Sequence, residues 1–230
     1  MFYEKVLKIL AEKQVKYAVI GGVALVLHGV VRLTADLDLI VELSTDNLNK
    51  FIEAIKELKF IPKLPVKLED FINPELRESW YKEKNMIVFT FYNPSHPIEE
   101  IDVFIKEIIP FNEIEKELEH FQIKGITIPV VSKRHLKQLK AITGRPQDIA
   151  DIKAIEELEK NRKRRPMSKK GAKNFQYSFN ISPEKLKLYA KLTPEERFEW
   201  LEEAHEFISQ AVSYEKLKRW KEYLNKKYKF

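Results

Sequence analysis

With 230 residues, 33% of them charged and a formal net charge of +6, the chain is long enough to bury one or two cores. It has no cysteine, which excludes disulfides and thiolate metal sites. No run approaches the about 20 apolar residues of a membrane span, and the start Met-Phe-Tyr-Glu-Lys lacks a signal-peptide layout, so a soluble, cytoplasmic protein with no membrane partner is expected.

Residues 2–14 read as an amphipathic helix with Val6, Leu7, Leu10 and Ala11 on one face. Residues 17–20 form a strand candidate, punctuated by Gly21-Gly22, two of only six glycines in the chain. A short buried helix is predicted over 23–28, stopped by Gly29. A second strand is expected over 37–41, and Ser44, Thr45 and Asp46 offer cap oxygens to a helix running to about Leu58. Pro62, Pro65 and Pro74 interrupt residues 61–84, leaving 75–84 as a possible helix. Strands are predicted over 86–92 and 98–105 around a turn at 93–97, then a helix over 111–120 and a strand over 125–130. Ser132 opens a helix to about Ile142, and Pro146 suits the first turn of the next.

Residues 161–173 carry seven Lys or Arg and no acid. They read as a solvated linker or as a strip for a phosphate backbone, with Phe175, Tyr177 and Phe179 available to stack on bases or to line a strand. From 174 to 230 the pattern becomes helical. Thr193-Pro194-Glu195-Glu196 is a capping box, followed by the stripe Trp200, Leu201, Ala204, Phe207, Ile208 and Ala211. That region is expected to pack on the first domain or to serve association with a partner protein or a second copy.

The chemistry gathers around Asp36 and Asp38. Aspartate is disfavoured in strands, yet two stand in one strand-like run. Residues two apart in a strand face the same side, about 7 Å apart at the backbone. Like charges at that spacing repel unless a cation joins them, and Mg²⁺ suits carboxylates beside a phosphate. The glycine pair lets backbone approach a ligand closely, and the N–H groups opening the next helix suit phosphate. Asp102, inside the later strand, is a third acid; three carboxylates can hold two ions. Glu100 would share its face and Glu99 the opposite one. His28 reads as a structural histidine, and the other histidines are too scattered for a zinc site.

Gly21-Gly22, Arg32-x-Thr34-x-Asp36-x-Asp38 and the distal Asp102 resemble the nucleotidyltransferase superfamily of the DNA polymerase beta type, most of all its small prokaryotic AbiEii-like branch, over about residues 3–160. The resemblance implies an α/β (α+β) fold: a mixed sheet flanked by helices in residues 1–160, followed by the basic linker 161–173 and the helical C-terminal region 174–230. It implies that Asp36, Asp38 and Asp102 are metal ligands for Mg²⁺ or Mn²⁺, with Asp102 also helping to deprotonate an acceptor hydroxyl. Lys140, in a segment similar to the branch's Lys helix followed by R-x-x-D-x-x-D, would touch the triphosphate, and Asp148 and Asp151 would orient Lys140 or Arg145. Many relatives carry Gly-Ser where this chain has Gly22-Val23, so phosphate contacts would come from backbone at Gly21 and Gly22 or from Arg32 and Thr34.

The expected activity is transfer of a nucleoside monophosphate from an NTP to a hydroxyl, with release of pyrophosphate. A protein, an RNA or tRNA 3′ end, or a small molecule remains open as acceptor. The alternatives are a non-catalytic toxin–antitoxin component or nucleotide-binding interaction module, and an RNA-directed transferase tethered by the basic stretch.

Overall fold

In the strand β2 (Asp36–Val41), Leu37, Leu39 and Val41 are buried while Asp36 and Asp38 stay half-buried, the period of 2 of a strand with one apolar face. The same alternation recurs over Val88–Asn93 and His96–Phe104, whereas Tyr17–Val19 is buried throughout, in the computed structural model, which describes residues 1–162, 188–189, 191–211, 215 and 219. The basic residues of 163–173 and the aromatics at 175, 177 and 179 lie outside these described residues.

Seven strands make one mixed sheet in the order β3-β4-β5-β2-β1-β7-β6. They are β1 (Tyr17–Val19), β2, β3 (Ile61–Pro62), β4 (Val88–Asn93), β5 (His96–Phe104), β6 (Glu119–Ile123) and β7 (Ile126–Val130). β2 runs parallel to β5 and antiparallel to β1, and β1 runs parallel to β7. Helices flank the sheet: α1 (Phe2–Glu12), α2 (Gly21–His28), α3 (Thr45–Glu57), α4 (Pro74–Lys84), α5 (Phe111–Lys116), α6 (Lys133–Thr143), α7 (Pro146–Arg162) and α8 (Pro194–Ala211). The expected α/β class is what forms. No described helix is long and apolar enough to cross a membrane.

Leu37, Leu39, Ile101, Val103, Phe89 and Phe91 turn one sheet face into the core. Phe51 of α3 meets Phe91 at 5.7 Å between ring centroids, Phe71 meets Phe89 at 5.3 Å, and Trp80 of α4 stacks on Phe89 at 5.0 Å. Buried rings of this size contribute about 1.5–3 kcal/mol each. This apolar cluster braces β2, β5 and β4 from behind, so the opposite face of those strands is where the acids stand.

Caps fall where the sequence places them. The Ser44 and Ser132 side chains accept N–H bonds from Asn47 and His135, and Gly29 closes α2 in the left-handed region at φ 106°. In α8, Thr193 Oγ1 accepts from Glu196 N–H at 3.1 Å while the Glu196 carboxylate accepts from Thr193 N–H at 2.7 Å.

One expectation is corrected. The helix expected over 111–120 ends at Lys116, and Glu119–Ile123 instead pairs with β7 as a hairpin. Its turn, Lys124-Gly125, takes positive φ at both residues (48° and 80°), the twist that suits tight hairpins. Residues 61–84, left open by their prolines, hold the edge strand β3, a 3-10 turn Leu68–Ile72 and α4, which Asn73 caps by accepting from Glu75 and Leu76 N–H.

The described part of the C-terminal region packs on the sheet and its helices. α8 lies against α2, α1 and β6. Trp200, Leu201 and Ala204 of the expected stripe are buried, but Phe207 is 66% exposed. Arg197, Phe198, Glu202 and His205 are buried in its place. Arg197 donates to Leu27 O at 3.2 Å, satisfying a carbonyl near the end of α2.

Candidate active site

The parallel pairing of β2 with β5 sets Asp38 directly opposite Asp102 and Asp36 directly opposite Glu100. Neighbouring strands lie about 4.8 Å apart, and residues two apart share a face, so four carboxylates stand on the polar face of the sheet. Glu100 is buried and bound by Lys63, whose Nζ lies 2.7 Å from Oε1. That leaves Asp36, Asp38 and Asp102 as the acidic trio expected from the sequence. Asp102 accepts from the Thr90 hydroxyl at 2.6 Å, across the β4–β5 ladder.

The glycine pair opens α2 itself instead of standing ahead of it. Gly21 has φ 65°, and a Cβ there would fall 1.9 Å from Asp38 Oδ2. A Cβ on Gly22 would fall 2.5 Å from Thr34 Cβ. The close approach that the glycines permit is therefore filled by the protein's own Asp38 and Thr34. Asp38 accepts a hydrogen bond from the Gly22 backbone, where the helix dipole favours negative charge. Burial, and then the Asp102 and Asp36 carboxylates, nevertheless push the Asp38 carboxyl up to about 7, against the Gly22 bond and the Lys140 ammonium.

The backbone leading into β2 is gripped from outside. The Tyr3 hydroxyl of α1 donates to Thr34 O at 2.9 Å. His205 of α8, tilted against Phe2 at 5.0 Å and edge-on to Tyr3 at 5.2 Å, bonds to the Ala35 backbone. Sequence reasoning missed both residues, because nothing local marks a tyrosine in α1 or a histidine in α8 as a neighbour of Asp36.

The cations gather at the junction of α6 and α7. Lys140 Nζ lies 2.7 Å from Asp151 and 3.2 Å from Asp148, both buried carboxylates. Arg145 pairs with Asp148 at 2.8 Å, and Arg32 approaches Asp151 at 3.5 Å. Asp148 and Asp151 thus hold Lys140, as expected, and they tie Arg32 into the same group. The Asp38 charge is felt at both Lys140 and Arg145. The site presents carboxylates on the sheet and cations on α6, the α6–α7 connection and the loop carrying Arg32.

Among the described residues, no group of three or more acidic or histidine side chains stands close enough together to hold an ion as they lie. The donor type and register still fit a hard divalent cation: three carboxylates share one face, and burial, then repulsion from Asp102 and Asp36, drives Asp38 toward its proton. Binding would bring the three carboxylates closer together than they lie here.

His28, by contrast, is a buried structural residue, its Nε2 bonded to Val131 O at 2.7 Å.

No family model and no curated protein matches the chain. Among solved structures it is similar to the lincosamide antibiotic adenylyltransferase LnuA in a lincomycin-bound crystal structure, at 15% identity and TM-score 0.45 over 67% of this chain and 96% of that one. It is similar to the antibiotic-resistance factor ANT(2'')-Ia, at 12% identity and TM-score 0.46 over 89% and 95% of the two chains. It is also similar to an antigenic nucleotidyltransferase-like protein from Paracoccidioides brasiliensis, at 16% identity and TM-score 0.42 over 69% and 78%.

Proposed function

We propose that this chain is a metal-dependent nucleotidyltransferase that moves a nucleoside monophosphate from an NTP to a hydroxyl acceptor. The observation that carries the proposal is the register of β2 and β5, which sets Asp38 opposite Asp102 with Asp36 on the same face. The α2 N-terminus, Lys140 and Arg32 supply positive character beside those acids.

Asp36, Asp38 and Asp102 would hold Mg²⁺ or Mn²⁺, in one or two ions. Such an ion, when bound, offsets charge on the phosphate oxygens and on the attacking oxygen. Lys140 and Arg32 would bind the triphosphate, a compact ammonium and a planar guanidinium respectively. The Gly21 backbone N–H would add a donor at the helix start, the Gly22 N–H being taken by Asp38. Asp102 takes the acceptor's proton at a carboxylate oxygen. The acceptor oxygen then bonds to the α-phosphorus, the bond to the bridging oxygen breaks, and pyrophosphate leaves with that electron pair. The Lys140–Arg145–Asp148–Asp151 arrangement supports the AbiEii-like branch within this reading.

The test is incubation of the chain with each labelled NTP, Mg²⁺ or Mn²⁺, and cell extract. Label should pass to a protein, an RNA or a small molecule, and Asp38→Asn should abolish the transfer. Absence of transfer with every nucleotide, together with tight capture of a partner, would move the assignment to the interaction module.

A further inference from the structure

Asp102 has Asp38 on one side and Thr90 on the other, each directly opposite it in the sheet. The Thr90 hydroxyl donates to Asp102 Oδ1 at 2.6 Å, the length of a charge-assisted bond. Phe89 and Phe91, its neighbours on β4, are buried in the aromatic core, so Thr90 faces the acids and cannot turn away without unpacking that core. Its backbone is held as well, because Lys63 N–H donates to Thr90 O at 2.9 Å. A β-branched side chain is stiff at χ1, so the hydroxyl is delivered in a defined direction. Asp36 and Asp38 repel the Asp102 carboxylate, and an unheld carboxylate would rotate to relieve that repulsion.

We propose that Thr90 is a positioning residue for the transfer reaction: its hydroxyl fixes the rotation of the Asp102 carboxylate, presetting it for the divalent ion and for the acceptor's proton. This inference rests on the transferase reading of Asp102. Outer partners that orient a ligand are worth about 10–100-fold in metal affinity or activity, and Thr90 is expected to fall in that range.

Thr90→Val keeps the shape and removes the hydroxyl; Thr90→Ser keeps the hydroxyl and removes a methyl. The full chain is assayed for Mn²⁺ affinity by calorimetry and for kcat and NTP KM, with Asp102→Asn as reference. Thr90→Val should lower kcat and Mn²⁺ affinity by about 10–100-fold with NTP KM unchanged, and Thr90→Ser should recover most of both. Wild-type kcat and Mn²⁺ affinity in Thr90→Val would overturn the inference, as would equal losses in the serine and valine variants. Should Thr90→Val not fold, Thr90→Ala carries the same readings. Undiminished Mn²⁺ affinity in Asp102→Asn would instead overturn the transferase reading of Asp102, and this inference with it.

Discussion

The Lys140 ammonium sits between two buried carboxylates, 2.7 Å from Asp151 and 3.2 Å from Asp148. A lysine held this way loses little freedom when it meets a phosphate. Lys140→Met should lower kcat/KM for the NTP by about 10–100-fold, mainly through KM, because a positioned binding charge is removed. It should also lower the melting temperature, since two buried acids lose a counter-charge. Unchanged KM in steady-state kinetics would remove Lys140 from the triphosphate site.

Asp38 supplies a pH prediction. Its carboxyl is raised in the folded chain to about 7, so the protonated form is the one folding favours. The stabilisation is fully present below the ordinary carboxylate value of about 3.9 and is lost as pH rises through about 7. In EDTA the melting temperature should therefore fall between about pH 4 and pH 8, and Asp38→Asn should flatten that fall. Mg²⁺ should raise the melting temperature more at the upper end of the range, where the carboxylates are ionised. Scanning fluorimetry with and without Mg²⁺ checks both; an equal Mg²⁺ effect at both ends would count against a carboxylate ion site.

Two glycines with positive φ should respond very differently to alanine. A Cβ on Gly21 would fall 1.9 Å from Asp38 Oδ2, while one on Gly125 meets nothing within 4 Å. Gly125→Ala should cost about 1 kcal/mol, the backbone penalty alone. Gly21→Ala should cost more and should displace Asp38, abolishing transfer even in protein that remains folded. Denaturant melts and activity measured side by side decide the point.

α8 contributes a helix cap in space. Glu202 Oε1 accepts the Glu4 N–H at 2.7 Å, and α1 has no side-chain cap of its own. Glu202→Ala should cost about 1–2 kcal/mol. Burial raises the Glu202 carboxyl above its ordinary range, so the charged form is the costly one. Glu202→Gln keeps an acceptor oxygen without that charge and should match or exceed the wild-type melting temperature at pH 8. A melting temperature for Glu202→Gln as low as that of Glu202→Ala would show that the charge, not the acceptor, holds α1.

Periodicity and punctuation made much of the fold readable before any coordinates. The alternation Asp36-Leu37-Asp38-Leu39 can only be a strand with one apolar face, and Ser44, Ser132, Gly29 and the Thr193–Glu196 box mark helix ends by local hydrogen bonding that needs no distant partner. The hairpin at 119–130 was obscured because Glu119 to Gln122 are mostly polar, so its strand signal is carried by pairing with β7 and by the Lys124-Gly125 turn. The stripe on α8 misled at Phe207 because apolar spacing does not register which face a partner covers; Arg197, Glu202 and His205 are buried because α2, α1 and the loop before β2 offer backbone groups for them.

The sequence by itself determined the chemical types at the site: paired aspartates at strand spacing, a third within another strand, glycines at a helix start, and a lysine followed by two acids one helical turn apart. Only the tertiary structure decided which of these meet. Strand register sets Asp38 against Asp102, Lys63 takes Glu100 out of the group, Thr90 holds Asp102, and α1 and α8 grip the backbone before Asp36. Local residue types follow from short-range sterics and hydrogen bonding, whereas these meetings depend on packing between segments far apart in the chain, for which no local pattern carries a signal.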